Sequence, residues 1–120
     1  MTRAHPERVR EYLQHIVEAI DRACGYVDGM DATAFQRDTR TQDAVIISLQ
    51  IVGEAANKAR AADSDLQSSS SEIPWDVMYG MRNRIIHDYF EVDLEVVGQT
   101  LQRDLPVLRT QIVQLLARLS

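Results

Sequence analysis

The sequence predicts an all-α protein, an up-and-down bundle of four to five helices. Apolar residues recur at three- and four-residue steps through most of the chain, and no stretch alternates polar and apolar residues as a strand would. Only five glycines and three prolines interrupt 120 residues, which is too few for a loop-rich or disordered chain. A chain of this length fits one domain covering residues 1–120.

The first helix is expected over about Pro6 to Asp28. One face of it collects Val9, Tyr12, Leu13, Ile16, Ala19, Ile20, Ala23 and Val27, and Gly25 and Gly29 weaken its end. "DATAF" then reads as a turn or single helical turn, with Asp31 as N-cap and Phe35 pointing inward. A second long helix fits Thr41 to Ala62, with a stripe of Ala44, Ile47, Ile51, Ala55 and Ala59 widened by Val45, Leu49 and Val52. "DSDLQSSSSE" lacks periodicity and reads as a polar loop. Division of the chain there would leave two halves too small to bury a core alone.

Helical spacing resumes at "EIPWDVMYGMRNRIIH". Pro74 suits a first helical turn, and Trp75, Met78, Ile85 and Ile86 supply core contacts. Asp93 can cap the last helix, whose inward positions are Leu94, Val97, Leu101, Leu105, Leu108, Ile112, Leu115 and Leu119. Pro106 should kink or divide it.

Composition limits the functional classes. The net charge of −5 argues against a general nucleic-acid binder, so any such contact must rest on a local basic spot or on a basic partner. The single cysteine, Cys24, lies in an apolar pattern and reads as a buried, inert thiol in a reducing cytoplasm. The opening "MTRAHPERVREYL" has no apolar core of a signal peptide. The longest aliphatic run, Ala44 to Ile47, falls far short of the ~20 residues that cross a bilayer. A cytoplasmic protein without membrane contact is expected.

The densest polar chemistry is "RNRIIHDY", Arg82 to Tyr89. Each residue has an ordinary account: Arg84 and Asp88 could pair on the surface, Tyr89 could pack, and His87 could close the helix. At about 100° per residue, Asn83 and His87 lie on one side, whereas Arg82 and His87 differ by about 140°. An ideal helix would not aim those two at one point. Either the helix ends at His87, or the long arginine reaches across, toward a symmetry mate for example. Spacing alone leaves this open.

"IPWDVMYGMRNRIIHDYFEVD" resembles the signature of the HepT-like branch of the HEPN helical domains: arginine, four residues, histidine, one residue, tyrosine. Arg82, His87 and Tyr89 fill that motif without a departure. "SLQIVGEAANKA" and "DLPVLRTQI" resemble the same family, so the likeness covers most of the chain. The resemblance implies a HEPN-like bundle and a metal-independent endoribonuclease that acts as a toxin. It also implies a homodimer, with two motifs facing one cleft, and an MNT-type nucleotidyltransferase as antitoxin.

The chemistry suits the residues. RNA cleavage moves a proton among the 2′-hydroxyl, the leaving 5′-oxygen and the protein, and imidazole does this near neutral pH. Charge that builds on the phosphate oxygens is met by a guanidinium fork. His87 is accordingly the expected general acid/base and Arg82 the transition-state stabiliser. Asn83 would orient His87 or the phosphate, and Arg84 would either bind backbone phosphate or pair with Asp88. Tyr89 is implied as the residue to which the antitoxin transfers AMP, filling the substrate site with a phosphodiester. No cofactor is called for. His5 and His15 read as surface or core residues, and no metal-ligand spacing is present. Val45, Leu49 and Val52 are the apolar residues offered for the dimer interface. A second reading remains: a non-catalytic helical subunit that presents a nucleotide-binding cleft to a nucleotidyltransferase.

Overall fold

The computed structural model describes residues 6–119, and the expectation for His5 lies outside them. Four long helical stretches carry the fold: α1 (Pro6–Tyr26), α3 (Thr39–Ala62), α5 (Trp75–His87), and α6 (Leu94–Gln99) continued by α7 (Leu105–Arg118). Two short helices, α2 (Ala32–Arg37) and α4 (Leu66–Ser69), fill the connections, and no strand occurs among the described residues. The all-α bundle predicted from periodicity is the observed architecture.

Side-chain pairs fix the helix directions. On α1 and α7, Arg10 donates to the Leu119 carbonyl and Arg109 to Asp21, so early α1 meets late α7. On α3 and α5, Arg60 reaches Asp76 while Glu54 meets Arg82, again in opposite order. The neighbouring helices run antiparallel. α3 is the central helix, packed on α1 along one side and on α5 along another.

Capping explains most boundaries. The Asp31 carboxylate accepts from the Ala34 amide at 2.8 Å and starts α2, as expected, with Phe35 buried behind it. Asp38 does the same for Thr41 at 3.0 Å, so α3 opens at Thr39, ahead of the predicted Thr41. Gly29 takes a left-handed φ of 78° in the turn that leaves α1. Asp93 caps α6 through the amides of Glu95 and Val96. Thr100–Asp104 forms a π turn immediately before Pro106, dividing the last helix where the missing proline N–H predicted it.

Three expectations need correction. The buried apolar residues of α3 include Val45, Ile46, Leu49, Val52, Ala56 and, from the expected stripe, Ala55 and Ala59, whereas Ile47, placed in the same stripe, is 53% exposed. Two packed sides leave α3 a broad apolar surface, from which a single stripe cannot be picked by spacing. Ile86, expected in the core, is 42% exposed. The serine-rich segment is not a bare loop: it forms α4, buries Leu66 and Ser70, and receives the Trp75 indole N–H on the Ser70 carbonyl at 3.1 Å. That anchor, with Pro74 just before it, sets where α5 begins.

Candidate active site at the end of α5

α5 ends at His87, where the Asp88 amide closes on the Arg84 carbonyl at 2.8 Å. The chain then turns through a 3₁₀ turn, Tyr89–Glu91, so Tyr89 does not continue the helical face of Arg82. Of the two arrangements left open by spacing, the helix stops at the histidine.

Arg82 is the most constrained residue of the motif. Its Nε donates to Glu54 Oε2 at 2.7 Å, and its Nη1 donates to the Asn83 side-chain oxygen at 2.7 Å. The guanidinium carbon stands 5.5 Å from the centre of the Tyr79 ring, and Arg60 lies 5.7 Å from the same ring. The arginine side chain is only 23% exposed.

His87 is exposed, and its side chain makes no hydrogen bond among the described residues. Asn83 bonds to Arg82 rather than to the histidine. Arg84 is exposed and has no ion pair among the described residues, and the surface pair considered with Asp88 does not form. It borders a hollow with Leu49, Met81, Val92 and Val96.

Tyr89 points back to α3, where its hydroxyl donates to Asp43 Oδ1 at 2.6 Å. That carboxylate holds the phenol above its ordinary pKa, first by the hydrogen bond, then by burial and by charge. Phe90, its T-shaped neighbour, is 97% exposed.

Sequence reasoning gave no role to Asp43, Gly53, Glu54 or Tyr79. One signal existed: Asp43 and Glu54 are eleven residues apart, about three turns, and therefore share a face of α3. That face meets α5, and each acid takes one end of the arginine–histidine–tyrosine motif. Away from the site, His15 lies exposed 3.7 Å from Glu18. Cys24 is half-buried, and burial, then the Asp21 carboxylate, push its thiol up. The described residues contain no cluster of metal-ligand type, and no helix among them is long and apolar enough to cross a membrane.

The chain is thus an antiparallel helical bundle in which α5 carries Arg82 and ends at His87, with Tyr89 in the turn that follows. The family model described as "Ribonuclease HepT-like" matches residues 16–115, and the chain belongs to that family. A protein of Thermococcus cleftensis named "Probable ribonuclease HepT" is 37% identical over 109 residues, covering 91% of this chain and 93% of that one. A Caldanaerobacter subterraneus protein named "Putative RNase TTE0752" is 29% identical over 109 residues, covering 91% and 95%. No solved structure matches the chain. Family and fold together make this an endoribonuclease of the HEPN type.

Proposed function

We propose that the chain is the toxin of a toxin–antitoxin pair, cutting RNA without a metal ion by means of Arg82 and His87. The observation that carries this reading is the contrast between the two side chains. The guanidinium is fixed by three partners, whereas the imidazole is exposed and uncommitted at a helix end. A fixed charge and a free proton carrier are the two components that phosphodiester cleavage needs.

In the reaction the 2′-oxygen attacks the adjacent phosphorus, its proton passes to a base, and the departing 5′-oxygen takes a proton from an acid. One His87 can fill only one of these roles at a time. A homodimer with two motifs at one cleft provides the second. Exposed Ile47, Ile86 and Phe90 support a second copy as partner. Val45, Leu49 and Val52 do not, because they lie 0–1% exposed inside the bundle and have no surface left to share.

Arg84, the exposed cation beside the motif, is assigned to backbone phosphate, and Asn83 to holding Arg82. The whole chain acts as one domain in the cytoplasm. A nucleotidyltransferase antitoxin of the MNT type silences it by transferring AMP from ATP to the Tyr89 oxygen, with release of pyrophosphate and of the phenol proton; Tyr89 is 41% exposed as a residue. Family membership favours this nuclease over the non-catalytic subunit.

The test is cleavage of tRNA and mRNA by AMP-free protein in EDTA. Cutting by the wild type and none by His87→Ala supports the reading, and intact RNA in both ends it. The mass of protein co-produced with its neighbouring nucleotidyltransferase reports the modification: added AMP units that vanish in Tyr89→Phe.

A further inference from the structure

Arg82 sits in a socket made by α3. A Cβ built on Gly53 would overlap the Arg82 Cβ and come within 2.6 Å of the Met78 carbonyl oxygen, so only glycine lets the arginine stem and the α5 backbone approach this closely. The next residue, Glu54, takes the Nε–H at 2.7 Å. Gly53 makes the room and Glu54 catches the head group.

We propose that Glu54 is the positioning residue of the Arg82 guanidinium, a role that rests on the ribonuclease reading above. A guanidinium has five N–H bonds. Glu54 takes the one on Nε and Asn83 takes one on Nη1, which leaves the remaining donors on Nη1 and Nη2 for phosphate oxygens. The three constraints come from two helices packed antiparallel, so the fork is fixed before substrate arrives, and a flexible arginine would otherwise lose rotamer entropy on binding.

Electrostatics separates this role from two simpler ones. An acid beside a phosphate-binding arginine weakens attraction for RNA, so a site built for charge alone would do better without it. A plain surface ion pair, with Glu54 40% exposed, would add little to stability and nothing to the reaction. Positioning predicts effects of opposite sign: removal of Glu54 should help RNA bind and slow its cleavage.

The experiment compares wild type, Glu54→Ala and Glu54→Gln by single-turnover cleavage, by affinity for a 2′-O-methyl RNA oligonucleotide that cannot be cut, and by thermal melting. Glu54→Ala should slow cleavage on the order of a hundredfold, bind the oligonucleotide as tightly as wild type or tighter, and keep its Tm. Glu54→Gln retains an acceptor for the Nε–H and should recover most of the rate. Wild-type cleavage by Glu54→Ala overturns the proposal, as does parallel loss of cleavage, binding and melting temperature. If the wild type cuts no RNA, the ribonuclease reading fails by itself and the socket is decided by NMR. The Arg82 Nε–H resonance, assigned with Arg82→Lys, should move to the position of exposed arginines in Glu54→Ala, and an unmoved signal overturns the socket.

Discussion

The Tyr89 hydroxyl donates its proton to Asp43 across a 2.6 Å hydrogen bond that ties the turn after α5 back to the start of α3. With the Arg82–Glu54 pair at the other end, the motif is held to one face of α3 at two points about three helical turns apart. The phenol should therefore titrate above an ordinary tyrosine, since the carboxylate accepts a bond from the neutral form and repels the phenolate. Asp43→Asn should bring it down toward the usual value. The ultraviolet titration difference between each protein and its Tyr89→Phe counterpart isolates this ring from the other three tyrosines. A midpoint equal in both backgrounds would show that the bond does not persist in solution.

Gly53→Ala tests the close approach of α3 and α5. The added methyl meets backbone at Met78 as well as the arginine stem, and backbone cannot swing aside as a side-chain tip can. Overpacking of this kind costs about 1–3 kcal/mol, which lowers Tm by roughly 5 °C or more in a domain of this size. Thermal melting measures it. Gly80→Ala is the control, since a Cβ there meets nothing within 4 Å, and alanine at an exposed helical site should hold or raise Tm. Equal melting of both variants would mean that the helices separate at little cost.

The outer parts of this fold were legible in sequence, and the middle was not. α1 and the last helix are amphipathic with one buried side, and most of their predicted inward residues are buried, with Tyr12, Val27, Leu94 and Leu119 only partly covered. α3 lies between two helices, so Ile47 could not be told from Val45 by spacing. Burial of Leu66 and Ser70 within a serine-rich run follows no period at all. At the candidate site, the cluster of Arg82, Asn83, His87 and Tyr89 could be picked out because it is local in sequence, though the partner of Asn83 could not. Asp43, Gly53 and Glu54 could not be picked out, because their contacts depend on the register of α5 against α3, and that register is set by Trp75 and the short helix before it.

Acid should destabilise the protein through its carboxylates. The Arg109 hydrogen bond holds Asp21 below the ordinary carboxylate range, Arg118 does so for Glu72, and Arg60, then Gln67, for Asp76; the Thr41 amide bond does so for Asp38 at the α3 cap. A carboxyl depressed in the folded state stabilises above its unfolded value and loses that contribution as pH falls through the folded one. Tm should thus be flat near neutrality and fall progressively below about pH 4. All four groups are solvent-accessible, so the loss should be gradual, and salt should flatten the part owed to the three ion pairs. A Tm unchanged down to pH 2 would show that these contacts are absent in solution.

The proposed dimer makes the sharpest demand on the surface. Ile47 lies between Asp43 and Glu54 along the α3 face that receives the motif, and Ile86 follows Arg82 by one turn on α5. Phe90 stands beside Tyr89 with 97% of its surface in water. Full burial of an exposed phenylalanine or isoleucine is worth about 1.5–3 kcal/mol; Ile47 and Ile86 are already about half covered, so Phe90 contributes most of what a partner would gain beside the motif. Ile47→Asp and Phe90→Asp place a charge there without touching the core, since neither side chain packs inside one bundle. Each should convert a dimeric wild type to a folded monomer by sedimentation equilibrium, retain its helical circular dichroism, and lose RNA cleavage with the paired histidines separated. A wild type that stays monomeric at every concentration, or a charged variant that stays dimeric and active, would move the interface to another face.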